Sequence, residues 1–423
     1  MLSLNKPVET SNTPEFKCDR TIMLFELSVG GHYATYILHL INYWRKHALP
    51  GRLEIVVSPM FYQQHADVVD IGLSCEQKNI NFVAISADEE AVLTPRKSPV
   101  HRAHRAFQQW QLLCKYARLL KATQCLIMYV DTFQSPLAFN LKSPCPVSGI
   151  YFRPTFHYSE FANNVLSRKE KLQQWREKVV VPRVLQHSHL QTLFCLDPFA
   201  VKHMNQFFSK AKSLYLPDPV QDYYHSKAEI EKLKTDSGIE TGRQVFLLFG
   251  ALNERKGIHQ LLQAASLLPP HLCQKMCLML VGSISSQDKS LVERAIADVT
   301  ASQPLQIITR DQYIPDQEIQ PYLAIADVIL APYQRHVGMS SILVRAAAAQ
   351  KPVLSSDYGL MGEIARRYRL GVTVDTTKPE AIAQGLSQFI LESPEQLCDH
   401  EQMKLFAEQN TAEKFASTIF QNI

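Results

Sequence analysis

Residues 245–268 read VFLLFGALNERKGIHQLLQAASLL, and this stretch decides the fold. VFLLFG (245–250) is a continuous apolar run ended by a glycine, whereas GIHQLLQAASLL (257–268) repeats its apolar residues at helical spacing. A strand with no polar alternation is buried on both faces, which calls for a parallel sheet covered by helices on each side. The same unit recurs. CLMLVG (277–282) precedes SLVERAIADVTA (290–301), and LQIIT (305–309) precedes DQEIQPYLAIAD (316–327). VILA (328–331) precedes SSILVRAAAAQ (340–350), PVLSSD (352–357) precedes MGEIARRY (361–368), and GVTVD (371–375) precedes PEAIAQGLSQFILE (379–392). Strands alternating with helices in this way predict a doubly wound, Rossmann-like α/β domain.

The N-terminal half repeats the pattern less regularly. TIMLFEL (21–27) is followed by Gly30-Gly31 and by a helix with Tyr33, Ile37, Leu40, Ile41 and Trp44 on one face. LEIVVS (53–58), INFVAIS (80–86), CLIMYVD (125–131), PVSGIYF (146–152) and LQTLFCL (190–196) read as further strands, and SLYLPDPV (213–220) as the strand that leaves the domain. The expectation is two Rossmann-like domains facing a cleft. Residues 1–217 form the first domain and 218–404 the second. Residues 218–243 act as linker, and a C-terminal helix at 405–423 rejoins the first domain. Ligands of open α/β sheets bind beyond the carboxyl ends of the strands, so the chemistry is sought in the loops that follow strands.

A chain of 423 residues accommodates two domains, and 46% hydrophobic with 20% charged residues excludes disorder or coiled coil as the main architecture. No apolar run approaches the roughly 18–20 residues of a membrane span, and residues 1–20 lack the apolar core of a secretory signal, so a cytoplasmic protein is expected. The nine cysteines, of which Cys273 and Cys277 are the nearest pair, have neither redox nor zinc spacing; reduced thiols and no metal or other cofactor are expected. The net charge of +4 does not mark a nucleic-acid binder, and none is expected as partner. That number hides an asymmetry. Residues 1–217 carry 25 basic and 16 acidic side chains, 25 − 16 = +9, and residues 218–423 carry 19 and 24, 19 − 24 = −5. Residues 91–130 hold seven basic side chains and no acidic one, with Trp110, Leu113, Ala117 and Leu120 on one helical stripe and Lys115, Arg118 and Lys121 opposite. This is either a core helix with a solvated face or the surface by which the protein makes a peripheral contact with an anionic membrane or an anionic acceptor.

Five loops carry candidate chemistry. In FGALNERKG (249–257), Gly250 ends a strand, and Arg255 and Lys256 sit just before a helix. A cation there is unfavourable to the helix dipole unless an anion joins it, and a phosphate would satisfy both the lysine and the amides. The alternative is a solvated surface pair. In PYQRHVGMSSILVRAAAAQKPVLSSDYGLMGEI (332–364), Gly338 allows close backbone approach, and Ser340 or Ser341 can cap a helix whose amides would cradle a diphosphate; Met339 lies between them. Arg345 could reach an anion or form a surface ion pair, and Glu363 could contact a ligand or complement a helix dipole. In SVGGHYATY (28–36) the double glycine is a weak phosphate signal, and His32 faces either solvent or a substrate hydroxyl. Asp131 in YVDTFQS (129–135) is a possible acid/base or sugar-hydroxyl acceptor. In YFRPTFHY (151–158), Arg153 and His157 are candidates for acceptor or phosphate contacts, and Tyr151, Phe152, Phe156 and Tyr158 could stack on a sugar or pack in the core.

Taken together, FGALNERKG and ADVILAPYQRHVGMSSILVRAAAAQKPVLSSDYGLMGEI resemble the donor-binding domain of GT-B fold glycosyltransferases, most nearly the retaining group called glycosyltransferase family 4. SVGGHYATYILHL is similar to the glycine-rich loop and first helix of that family's acceptor domain, and LYLPDPV to its interdomain crossing. The resemblance implies transfer of a sugar from a nucleotide-sugar, without a metal, to a glycan, lipid or small-molecule acceptor. It implies that Lys256, Arg255, Gly250 and the segment Gly338 to Ser341 hold the leaving diphosphate, with Gly30 and Gly31 approaching from the other domain. Lys256, Asp131 and His157 are the candidate catalytic residues, and His32 and Arg153 the candidate acceptor contacts. Three positions depart from the family pattern. Ala251 stands where an arginine is usual, and Val337 and Arg345 stand where the family has two glutamates separated by seven residues. The second glutamate normally accepts the donor ribose hydroxyls, and arginine, a donor only, cannot. His336 is a candidate to replace part of the lost first glutamate. These departures leave open an unusual donor, a differently held ribose or impaired catalysis. They also leave open a non-catalytic nucleotide-sugar-binding or scaffold protein, or a GT-B epimerase or phosphorylase.

Overall fold

The computed structural model describes residues 20–75, 78–95, 97–161, 166–207, 209–221 and 225–423. Seven strands lie in the N-terminal half: β1 (Thr21–Phe25), β2 (Arg52–Val57), β3 (Ile80–Ala84), β4 (Gln124–Ile127), β5 (Val147–Tyr151), β6 (Leu190–Cys195) and β7 (Lys212–Tyr215). Six follow: β8 (Gln244–Phe249), β9 (Met276–Val281), β10 (Gln306–Arg310), β11 (Val328–Ala331), β12 (Val353–Ser356) and β13 (Gly371–Val374). They form two sheets, ordered β3-β2-β1-β4-β5-β6-β7 and β10-β9-β8-β11-β12-β13. The pairings within them are parallel, for example Phe246 with Leu278 and Ile329 with Val353. The α/β class and the two Rossmann-like sheets are therefore those that the strand–helix rhythm anticipates.

By compactness the chain divides into two units. The first takes the residues up to Met128 with Lys142–Gly149; the second takes Tyr129–Leu141 with Ile150–Ile423. β7 and β8 belong to different sheets, and residues 150–217 group compactly with the C-terminal half.

In the first unit, the helix Tyr33–Lys46 buries Ile37, Leu40, Ile41 and Trp44 as its periodicity requires, while Tyr33 stays half-buried. The basic helix Pro99–Leu119 begins at Ser98, whose hydroxyl accepts from the His101 amide. Trp110, Leu113 and Ala117 are buried, and Lys115 pairs with Glu89 at 2.5 Å. The stripe is thus a core face, and one of its cations already has a carboxylate.

In the second unit, alternate side chains of one strand enter two different cores. Val245, Leu247 and Phe249 point to one apolar cluster, and Phe246 and Leu248 to the other. The same split holds for Cys277, Met279 and Val281 against Met276, Leu278 and Leu280. Burial on both faces is the physical reason these strands lack polar alternation. The C-terminal segment is tied to β6 and β7. Thr192 donates through its hydroxyl to the Asn422 carbonyl at 2.8 Å, and Lys212 donates to the Asn422 side chain at 2.9 Å. Buried Asn410 accepts from the Tyr215 hydroxyl and the Asp218 amide. No helix among the described residues is long and apolar enough to cross a membrane, and the eight described cysteines are buried free thiols.

Candidate functional site

The loop after β8 is built around a buried cation. Asn253 caps a short helical turn, Glu254–Lys256, by accepting from the Lys256 amide at 3.2 Å. This folds the Lys256 side chain back, so its ammonium donates to the Phe249 carbonyl at 2.9 Å and sits 4.6 Å from the Tyr333 ring centroid. Gly250 makes room: a Cβ there would lie 2.9 Å from the Lys256 Nζ. Lys256 is only 8% exposed, and no carboxylate pairs with it among the described residues. A buried ammonium is costly unless its remaining donors are met, and an anion would meet them.

The loop after β11 closes over the same ring. The Tyr333 hydroxyl is 2.8 Å from the Ser340 hydroxyl, and Arg255 stands 5.3 Å from the ring centroid. Burial pushes the Tyr333 phenol up, but Lys256, Ser340 and Arg255 outweigh it and hold it below its ordinary value. Ser340 occupies the cap position of the helix Ser341–Ala348 without a side-chain capping bond, its hydroxyl being directed to Tyr333. The first-turn amides beside Tyr333 thus have no side-chain cap, an arrangement that favours an anion. His336 Nε2 lies 3.4 Å from the Met339 carbonyl. Burial first, and then the fields of Arg255, Arg153 and Lys256, bring the imidazole down to about 4, so it is neutral near pH 7. Three cations converge there.

Tyr158 and Glu170 hold this loop in place. The Gly338 amide, at φ +98°, donates to the buried Tyr158 phenol at 3.0 Å. A Cβ at Gly338 would lie 3.1 Å from the Phe152 carbonyl, and one at Gly359 would lie 2.7 Å from the Tyr158 ring, so the phenol fits between two glycines. Glu170 accepts from Arg335 at 3.0 and 2.7 Å and from the Tyr358 hydroxyl at 2.8 Å. Burial alone would raise that carboxyl; Arg335, Ser167 and Tyr358 together lower it to about 2.

Asp131 and Arg153 meet. Asp131 accepts from the Phe152 and Arg153 amides at 2.9 and 3.1 Å, and the Arg153 guanidinium, in contact with the Tyr129 hydroxyl, lies 3.9 Å from the carboxylate. Burial raises the Asp131 carboxyl to about 6 despite the amides and Arg153. His157 is placed differently. It is 2% exposed and its Nε2 lies 2.9 Å from Asp197, whose other oxygen caps a helix through the Phe199 and Ala200 amides. The His157–Asp197 contact lacks hydrogen-bond alignment, and it puts the imidazole inside the fold.

Residues 229–412 match the model of the family "Glycosyl transferases group 1". The match spans β8 to β13, including the Lys256 and Gly338 loops. This segment of the chain is similar to the group 1 glycosyl transferases. The protein is accordingly a glycosyltransferase. No curated protein matches the sequence. Among solved structures, a glycosyltransferase from Rickettsia africae is 14% identical with a TM-score of 0.64, over 96% of this chain and 98% of that one. Sucrose-phosphate synthase from Thermosynechococcus elongatus is 14% identical with a TM-score of 0.65, over 95% and 98%. Anabaena HepE, in complex with UDP and glucose, is 13% identical with a TM-score of 0.63, over 95% and 98%. At such identities these likenesses establish the GT-B fold.

Within the glycosyl transferase domain, Arg345 is half-buried and ion-paired with Asp316, from the turn Asp316–Glu318. Glu363, on the helix Gly359–Arg367, pairs with Arg366 at 3.3 Å. Val337 and Met339 pack against the core cluster that holds Tyr333 and Tyr358. Gly30, Gly31 and His32 belong to the first unit. Gly31 has φ +84°, and the exposed His32 ring lies 4.8 Å from that of Tyr36. The described residues contain no group of three or more His, Cys, Asp or Glu side chains that could hold a metal ion. Sequence reasoning missed Tyr333, Arg335 and Glu170. Tyr333 stands five residues before Gly338 in a loop already singled out, whereas Glu170 carries only the signal of a helix capping box, Ser167 to Glu170.

Proposed function

We propose that this glycosyltransferase moves a sugar from a nucleoside-diphosphate sugar to an acceptor hydroxyl with retention of anomeric configuration. The observation that carries the reading is the buried Lys256 ammonium over Tyr333, with Arg255, neutral His336 and the uncapped amides at Ser341 around it. Charge builds on the leaving diphosphate as the glycosidic bond breaks. A fixed ammonium and helix amides in a water-poor site stabilise that charge without reorganising. His336, neutral and hydrogen-bonding, suits a sugar hydroxyl, and the leaving phosphate itself takes the acceptor's proton. Asp131, held by two amides, orients the Arg153 loop, which together with His32 is assigned to the acceptor, and Gly30 and Gly31 to the donor phosphate or sugar. A metal is not part of this scheme. HepE binds UDP and glucose, which makes UDP-sugars the first donors to try.

A non-catalytic nucleotide-sugar-binding protein is the second reading, favoured by Val337 and Arg345 at the family's glutamate positions. Donor consumption across a panel of nucleotide-sugars, with calorimetry on the same panel, separates the two. Turnover of one donor with an α-anomeric product from an α-linked donor supports transfer with retention. Tight binding with no donor consumed under any acceptor condition leaves the binding protein.

A further inference from the structure

The helix Arg168–Leu185 presents an apolar stripe to solvent. Leu172 is 66% exposed, Trp175 65% and Val179 38%. Their spacing, i, i+3, i+7, aligns them along one line of the helix. The residues that anchor the helix to the protein, Glu177, Val181, Val184 and Leu185, lie half a turn away. The stripe therefore faces squarely outward. Cations flank it on both sides: Lys171 and Lys178 on one, Lys169, Arg176 and Arg183 on the other, with Arg168 at its start. All six are exposed, and none forms an ion pair among the described residues. The two acidic residues of the helix point the other way, Glu177 buried and Glu170 bound to Arg335 and Tyr358.

We infer that this face docks the enzyme on an anionic lipid surface. A side chain as large as Trp175 held two-thirds exposed between leucine and valine gains free energy only by leaving water, and lysines and arginines on both flanks are at headgroup height when the stripe points into the bilayer. Nucleic acid would use the cations and leave the aliphatic stripe unburied. An acidic protein groove would use both, but an outward stripe with cations along both margins is the pattern of an interfacial helix and requires no shaped partner. The surface is distinct from the basic helix Pro99–Leu119, whose stripe residues Trp110, Leu113 and Ala117 are buried and whose Lys115 is paired. It is independent of the sugar-transfer reading, yet it meets it in space. Opposite the stripe, Glu170 of the same helix grips Arg335, three residues from Gly338.

The test is co-sedimentation of the full chain with vesicles of phosphatidylcholine alone and of equal parts phosphatidylcholine and phosphatidylglycerol. The wild type should pellet with the acidic vesicles and stay in solution with the neutral ones. Two surface variants, Leu172→Ser with Trp175→Ser and Lys171→Glu with Lys178→Glu, should each lose at least ten-fold in partition coefficient, each removed cation being worth about five-fold. Both should retain the wild-type circular dichroism spectrum and thermal midpoint, and Arg102→Glu with Arg118→Glu on the other basic helix should bind as wild type. Binding that ignores lipid charge, loss only in the Arg102 and Arg118 variant, or retention by an acidic protein or RNA but not by acidic vesicles would each overturn the inference.

Discussion

The amide of Gly338 donates to the phenolic oxygen of Tyr158, 180 residues earlier in the chain. This bond fixes the loop after β11, where Gly338 at φ +98° lies so near the Phe152 carbonyl that a Cβ would stand 3.1 Å from it. Tyr158→Phe removes the acceptor of a buried amide and should cost about 1–3 kcal/mol in a urea titration. Gly338→Ala adds left-handed strain and should cost about 1–2 kcal/mol, together with a raised donor KM. Unchanged stability in both variants would mean that the loop is positioned by other contacts.

Lys256 is expected to act on the leaving group and not on folding. Its ammonium donates to the Phe249 carbonyl and lies over the Tyr333 ring, so Lys256→Met keeps the chain's bulk and removes the charge. By the magnitude of lost preorganised donors, kcat should fall roughly 100- to 1,000-fold with the denaturation midpoint held or raised. A kcat within a few-fold of wild type would remove Lys256 from the catalytic assignment.

His336 offers a pH reading. Its folded value of about 4 lies below the ordinary 6.5, so the unfolded chain binds the proton more tightly. The stability linked to this group is therefore full above the ordinary value and is lost as pH falls from there towards about 4. In a proton NMR titration the His336 ring should not shift until below pH 5, and His336→Gln should flatten that part of the stability profile. A His336 signal titrating near its ordinary value would contradict the cation-surrounded placement.

Asp131 has the opposite sign. Burial raises its carboxyl from 3.8 to about 6, so the native state binds the proton more tightly and this group's contribution falls as pH rises between those values. Asp131→Asn should remove that slope while losing one amide bond, about 1 kcal/mol at the acid end, read as urea midpoints at the two ends of the window. An identical slope in the variant would assign it to another group.

Arg345 and Asp316 should behave as a coupled pair. Arg345→Glu restores the family's residue but sets it against Asp316, which should cost roughly 1–3 kcal/mol given the partial exposure of the carboxylate. Adding Asp316→Asn should recover part of that loss, giving a double-mutant coupling on the order of 1 kcal/mol. Additive losses would show that the pair is not an energetic unit.

The sequence alone determined the layered architecture. Strands buried on both faces must be uniformly apolar, and helices covering them must carry a 3.6-residue stripe, so both periods are written locally in VFLLFG and GIHQLLQAASLL. It also located the loops after β8 and β11, because a cation before a helix and a glycine before a serine pair are short-range signals. Only the tertiary structure decided what those residues touch. Lys256 turned out to lie over Tyr333, Arg345 on Asp316 from a turn 29 residues earlier, and His157 inside the fold against Asp197. A local pattern records that a side chain is buried or charged, but not which distant segment crosses it. The same limit hid the outward stripe of Leu172, Trp175 and Val179. Apolar residues at helical spacing look alike whether a neighbour covers them or water does, and that difference is made by packing.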